Sequence, residues 1–182
     1  MFPKERLRKE IEIPEGVQVI IDGKTVKVIG PVGEVQRILA YPTLEIKIEG
    51  NKVMFEPKVF SKKEKMIINT FVAHVNNMIQ GTQEPFVYKL KIASSHFPMN
   101  VTLQGKEVVI KNFFGEKIPR RARIMEGVKV EISGDIITVT ANNREAAGQT
   151  AANLEQSTRI TNRDRRVFQD GIWITEKAGK QM

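Results

Sequence analysis

The stretch Val17-Gln18-Val19-Ile20-Ile21-Asp22-Gly23-Lys24-Thr25-Val26-Lys27-Val28-Ile29 decides how this chain reads. Its two arms are rich in β-branched residues and alternate with the period of a half-buried strand. Asp22-Gly23 between them tolerates the positive φ of a tight turn, so the stretch predicts a β-hairpin. The pattern returns as Val101-Thr102-Leu103-Gln104-Gly105-Lys106-Glu107-Val108-Val109-Ile110, at an offset of 82 residues. Gly33-Glu34 returns as Gly115-Glu116 at the same offset. The chain contains itself twice.

Working outward, a second hairpin follows each first one. Leu44-Glu45-Ile46-Lys47-Ile48 turns at Gly50-Asn51 and continues as Val53-Met54-Phe55. Val128-Lys129-Val130-Glu131-Ile132 turns at Gly134-Asp135 and continues as Ile137-Thr138-Val139, now at an offset of 84, so two residues are inserted between the hairpins of the second copy. Each second hairpin leads into a helix. Ser61-Lys62-Lys63-Glu64 is a capping box, with Ile67, Phe71, Val75 and Met78 at helical spacing behind it and Gly81 as the expected stop. In the second copy Asn143 caps, and Ala147, Ala151 and Leu154 line a face of small residues, which predicts a close approach of helix to sheet.

Hairpin, hairpin, helix, twice over, is an α+β protein of two tandem similar domains, each an antiparallel sheet with one packed helix. The expected domains are 1–82 and 83–182, with Gly81-Thr82-Gln83-Glu84-Pro85 as the breaker-rich linker. Phe86-Val87-Tyr88-Lys89-Leu90-Lys91-Ile92 opens the second sheet, beside the counterpart of Ile11-Glu12-Ile13.

Composition narrows the function. The 182 residues carry 29 Lys and Arg against 21 Asp and Glu, a net charge of +8, and 41% are hydrophobic. That is enough apolar content for a packed core. Cysteine is absent, which excludes a disulfide framework, a thiolate metal site and a cysteine nucleophile. No apolar run approaches the roughly 20 residues that span a bilayer. Met1-Phe2-Pro3-Lys4-Glu5-Arg6 has charge but no apolar core of signal-peptide length behind it, so a cytoplasmic protein is expected.

Enzymatic patterns are poor. His74 and His96 have no second ligand at metal spacing, Ser94-Ser95 lacks a nucleophile elbow, and Asp22 and Asp170 each precede glycine as turn residues do. No metal, cofactor or small-molecule substrate is expected. Gly30-Pro31-Val32-Gly33 has the spacing of a KH-domain GXXG loop, but it follows a strand rather than joining two helices, and it reads as a plain turn.

Arginine is more informative. Residues 1–82 hold three arginines and residues 83–182 hold eight. Lys117-Ile118-Pro119-Arg120-Arg121-Ala122-Arg123 has four cations and no acid; Arg159-Ile160-Thr161-Asn162-Arg163-Asp164-Arg165-Arg166 has four arginines and one acid. The planar guanidinium bonds phosphate oxygens bidentately, so two such clusters in expected loops or element ends point to nucleic acid. Phe168 and Trp173 read as packing residues, which favours backbone binding to folded RNA over base stacking.

Two longer motifs carry a resemblance. His96-Phe97-Pro98-Met99-Asn100-Val101, followed by Val109-Ile110-Lys111-Asn112-Phe113-Phe114-Gly115-Glu116-Lys117, resembles the second domain of the large-subunit ribosomal protein L-six family, called L-nine in eukaryotes. Asn162-Arg163-Asp164-Arg165-Arg166-Val167-Phe168-Gln169-Asp170-Gly171-Ile172-Trp173 is similar to the terminal signature of its archaeal and eukaryotic branch. The resemblance implies two similar α+β domains and an architectural role. It implies binding to large-subunit rRNA mainly through the second domain, neighbouring large-subunit proteins, and a place near the docking region of translational GTPases. Carried over, it puts RNA contact on Arg163, Arg165 and Arg166, on Lys117, Arg120, Arg121 and Arg123, and more weakly on Lys111; Arg159 joins them from its cluster. Asp170-Gly171 is expected to be a turn presenting the signature. Pro119 and Ala93-Ser94-Ser95 do not carry over. The competing expectation is a non-ribosomal RNA-binding module or assembly factor on the same duplicated fold.

Overall fold

The computed structural model describes residues 8–182; the Met1–Arg6 start read above lies outside them. The chain divides into two compact units between Pro85 and Phe86. In the first unit β1 (Lys9–Glu12), β2 (Gln18–Asp22), β3 (Thr25–Gly30), β4 (Gly33–Ile38), β5 (Leu44–Glu49) and β6 (Lys52–Pro57) precede α1 (Lys62–Gln83). In the second, β7 (Phe86–Ala93), β8 (Asn100–Gln104), β9 (Glu107–Lys111), β10 (Arg120–Arg123), β11 (Lys129–Ser133) and β12 (Ile136–Ala141) precede α2 (Arg144–Ser157), and β13 (Gly171–Lys177) and β14 (Lys180–Gln181) follow it. Both units are α+β with antiparallel pairing throughout.

The strands of each repeat divide between two sheets. The first unit has β1-β6-β5 and β2-β3-β4; the second has β11-β12-β7-β13-β14 and β10-β9-β8. Three of the hairpins recruit one more strand each and the β11–β12 hairpin recruits three, and the apolar faces of the two sheets share a core closed by the helix. Thus α1 packs on β3 and β4 from one sheet and on β1 and β6 from the other. β7 is itself the counterpart of β1, rather than a strand paired with that counterpart. Its centre is the most protected part of the second sheet, with Leu90 fully buried between β12 and β13.

All four expected hairpins form, and the first of their turns is shifted by one residue. Asp22 pairs with Thr25, so Asp22 ends its strand and Gly23-Lys24 is the two-residue loop. The other loops are Gly50-Asn51, Gly105-Lys106 and Gly134-Asp135. Each opens on a glycine with φ between 58° and 61°, the left-handed conformation that the first loop position demands.

Ser61 caps α1, accepting from the Lys63 N–H at 3.2 Å, while the Glu64 carboxylate accepts from the Ser61 and Thr43 hydroxyls. The helix does not stop at Gly81. It runs to Gln83 because its last carbonyls find partners: Glu84 N–H donates to Gln80 O and Val32 N–H to Thr82 O. Pro85 then disfavours helix at Glu84, which is extended. The turn that supplies Val32 lies so close that a Cβ on Gly30 would come within 2.7 Å of the Thr82 carbonyl oxygen. The buried stripe of α1 is Glu64, Ile68, Val75, Met78, Ile79 and Thr82; Ile67 and Phe71 are only half-buried, one position off the expected line. Phe71 still packs against the core. In α2 Ala147, Ala151 and Leu154 are fully buried, and a Cβ on Gly148 would sit 3.3 Å from the Tyr88 hydroxyl oxygen.

Candidate nucleic-acid interface

Strand geometry sorts the first basic run. Lys117-Arg123 reads as loop from its charges, but Arg120–Arg123 is β10, paired with β9. Successive side chains of a strand point to opposite faces. Ala122 is buried, so Arg120 shares its inward face, while Arg121 and Arg123 stand in solvent. Arg120 is accordingly occupied inside the protein. Its Nε and Nη2 form a bidentate pair with Glu116 at 2.7 and 2.6 Å, and its Nη1 donates to the carbonyls of Ser157 and Arg159. Its guanidinium also lies 4.3 Å from the centre of the Phe113 ring. The hydrogen bond from Arg120 holds the Glu116 carboxyl below its ordinary value against the opposing effect of burial. Four of the five guanidinium N–H groups are thereby taken. Arg120 joins the turn at Phe113–Gly115 to the end of α2 and leaves one guanidinium N–H uncommitted. Arg121 makes one 3.3 Å contact with Glu107, and Lys117 and Arg123 are exposed.

The second cluster lies on the loop between α2 and β13. Arg159, Arg163, Arg165 and Arg166 are all exposed. The loop is nevertheless ordered by its own contacts. The Asp164 carboxylate accepts from the backbone N–H and the guanidinium of Arg166, and the Asp164 carbonyl accepts from the N–H groups of Val167 and Phe168. The Trp173 indole donates to Gln169 O at 2.9 Å. Arg163 lies 5.0 Å from the ring centres of both Phe114 and Phe168, and Arg165 lies 5.6 Å from Trp173. Such stacking uses the face of a guanidinium and leaves its N–H edges for a ligand.

Asp170 fastens the loop to the rest of the unit. It is 2% exposed, and its carboxylate accepts from the Ser95 N–H, the Ser95 hydroxyl, the His96 N–H and the His96 ring. Burial pushes this carboxyl up, but the four donors together outweigh it and hold it well below the ordinary carboxylate range. Gly171 follows at φ 153°, where a Cβ would press on the Thr158 hydroxyl at 3.3 Å. That hydroxyl accepts the Ile172 N–H, so the loop is pinned at its far end too. Asp170-Gly171 does present the signature, but by a buried clamp rather than a solvent turn.

Ser95, His96 and Asp170 resemble a hydrolytic triad only by type. The ionised carboxylate accepts alone, so His96 Nδ1 carries the proton. The Ser95 hydroxyl lies 3.4 Å from that same nitrogen and donates to Asp170, not to a free imidazole nitrogen. No base is placed to activate it. Among the described residues no group of three or more His, Asp or Glu could hold a metal, and no helix is long and apolar enough to cross a membrane.

The sequence model of "Ribosomal protein L6" matches residues 13–84 and 97–171. This chain belongs to that family. The family's two matched segments coincide with the two repeats, and the second ends at Gly171, where the arginine loop meets β13. The chain is 48% identical over 174 residues to the "Large ribosomal subunit protein uL6" of Methanococcus vannielii, covering 96% of each chain. It is also 48% identical over 171 residues to the protein of that name from Methanobrevibacter smithii, covering 94% of this chain and 96% of the relative. The ribosomal protein L6 family is structural rather than enzymatic.

Of the nine candidate cations, the fold gathers Arg159, Arg163, Arg165 and Arg166 on one loop and aims Arg121 and Arg123 outward from β10. Lys117 lies in the connection to β10, and Lys111 ends β9 at a separate cleft. Sequence reasoning missed the aromatic support. His96, Phe114 and Phe168 cluster with ring centres 5.1 to 6.2 Å apart and carry Arg163. The signal lay in two separately quoted motifs, one holding His96 and Phe114, the other Phe168 and Asp170.

Proposed function

We propose that this L6-family chain is a structural component of the large ribosomal subunit in the cytoplasm, and that it binds large-subunit rRNA chiefly through its second unit. The supporting observation is the arginine loop: four exposed arginines on a segment that Asp170, Asp164 and an aromatic cluster order before any RNA arrives. Outward-facing Arg121 and Arg123, with Lys117, extend the positive surface. Arg120 acts as a positioning residue. The place near the translational GTPase docking region rests on the family resemblance, as do the neighbouring large-subunit proteins.

Phosphate contacts release condensed counterions, so affinity must fall with salt. If about four of the clustered cations other than Arg120 engage phosphates, log K against log[salt] has a slope of roughly −3 to −4. Replacing Arg163, Arg165 and Arg166 with Ala in the full chain flattens that slope by about 2 to 3 units. Replacing Lys62, Lys63 and Lys65, exposed in the first turn of α1, leaves it nearly unchanged. Equal losses from both triple variants would mean that net charge alone binds RNA. Failure of the chain to co-sediment with large subunits through a high-salt wash would favour a non-ribosomal RNA-binding role.

A further inference from the structure

Beside the arginine loop the second unit holds a cleft of about 650 Å³ that the reading above does not use. Its apolar wall is Ile92, Met99 and Val101, and its polar rim is Asn100, Lys111 and Asp135. Asn100 and Lys111 face each other across the β8–β9 register, and Asp135 is the second residue of the β11–β12 turn. The mouth is bordered by a residue in the left-handed conformation. Asn112 has φ 61°, and its side-chain amide donates to Pro98 O at 3.0 Å, tying the two lips together. The same two segments reach the arginine loop: Asn112 precedes Phe114 under Arg163, and Pro98 follows His96 on Asp170.

The duplication supplies an internal comparison. The corresponding crevice in the first unit, about 470 Å³, is lined by Glu12, Ile13, Glu15, Asn51 and Lys52. Asn51 and Asp135 hold equivalent turn positions: Ile13 N–H donates to Asn51 O at 2.9 Å and Ile92 N–H to Asp135 O at 2.7 Å. Yet Lys52 is paired with Glu10 and Glu12, so the first crevice offers a phosphate no uncommitted cation. Lys111 has no acidic partner among the described residues. The second copy alone combines an apolar wall, an unpaired cation and a carboxylate acceptor.

We propose that this cleft takes one extruded nucleotide of the bound RNA, with guanine preferred; the idea rests on the rRNA-binding reading. Folded RNA is read at splayed-out bases through their Watson–Crick edges. A carboxylate offers two acceptors to the adjacent N1–H and N2–H donors of guanine and none of the donors that adenine would need. The base lies against Met99 and Ile92, its edge meets Asp135, and its phosphate lies by Lys111.

The test is a titration of the full chain with guanosine monophosphate, adenosine monophosphate and inorganic phosphate, following the backbone amide resonances. Guanosine monophosphate is expected to bind with a Kd on the order of 1 mM and to shift Asn100, Lys111, Asn112, Gly134 and Asp135. Adenosine monophosphate is expected to bind more weakly, and phosphate alone to leave the turn at Gly134 unmoved. Asp135→Asn installs the residue that the first repeat already carries there, so the turn is kept, and the guanine preference falls about tenfold. Lys111→Gln weakens both nucleotides about twofold to fivefold. Equal shifts from phosphate alone, equal response at Asn51, or an unchanged preference in Asp135→Asn each overturn the proposal. Salt-dependent rRNA binding measured on the same variants separates the two readings. Intact rRNA binding with a silent cleft removes only the nucleotide site; a responsive cleft without rRNA binding removes only the ribosomal role.

Discussion

Asp170→Asn is the most direct probe of the clamp. Oδ1 of Asp170 accepts from the Ser95 N–H, the Ser95 hydroxyl and the His96 ring, while Oδ2 accepts the His96 N–H at 3.0 Å. An amide keeps one acceptor oxygen. Placed at the Oδ1 position, it leaves an NH2 group facing the His96 N–H; flipped, it faces three donors. The least costly arrangement loses one hydrogen bond and the charge that strengthens the others. Hydrogen bonds to charged groups contribute about 1.5 to 3 kcal/mol each, and Ser95 and His96 are exposed enough for water to replace part of the loss, so the cost is about 2 to 4 kcal/mol. In a unit of this size that lowers Tm by about 10 °C or more. The folded carboxyl titrates below its unfolded value of about 3.9, so its contribution is complete above about pH 5 and disappears as the pH falls through the lower folded value. The parent therefore loses stability in acid that the variant never had, and the gap between the two Tm curves narrows progressively as the pH falls below about 4. Calorimetry from pH 2 to 7 reads both effects. A variant that melts with the parent at pH 7, or a gap that stays constant into acid, would refute the clamp.

Arg120→Lys keeps the charge but loses the bidentate pair with Glu116; it should cost about 1 to 3 kcal/mol and reduce rRNA affinity with the salt slope unchanged. A flattened slope would return Arg120 to the contact set. Leu154→Ala, at a fully buried site of α2, should cost about 2 to 5 kcal/mol in denaturant unfolding, whereas Phe71→Ala should cost less than the about 3 to 5 kcal/mol of a fully buried phenylalanine. Equal costs at the two helices would contradict the half-buried position of Phe71.

The duplication was legible because period-two alternation and glycine turns are local signals. All four hairpins, the Ser61 and Asn143 caps and the Ala147-Ala151-Leu154 face followed from them. β10 was not legible, since Arg120-Arg121-Ala122-Arg123 offers a single apolar residue to an alternation test. That strand turns Arg120 inward, so charge counting alone could not separate an internal tether from the outward-facing cations. The run past Gly81 was hidden for another reason: the partner that satisfies the end of α1 is Val32, some 50 residues away in sequence. Asp170 looked like a turn residue because its four donors come from Ser95 and His96, which only the tertiary fold brings to it.

The arginine loop, tied at Asp164, Asp170 and Thr158, has a consequence for how the particle is built. A segment that folds upon its target surrenders chain entropy at that moment, and its association carries a large heat-capacity change. This loop is shaped during the folding of its own unit. On the proposed reading, its encounter with RNA would resemble the docking of two finished surfaces, steered at long range by positive charge and limited by the readiness of the RNA. In a growing subunit the pace of such a step would belong to the nucleic acid, and a protein added early would wait, already shaped, for its site to appear.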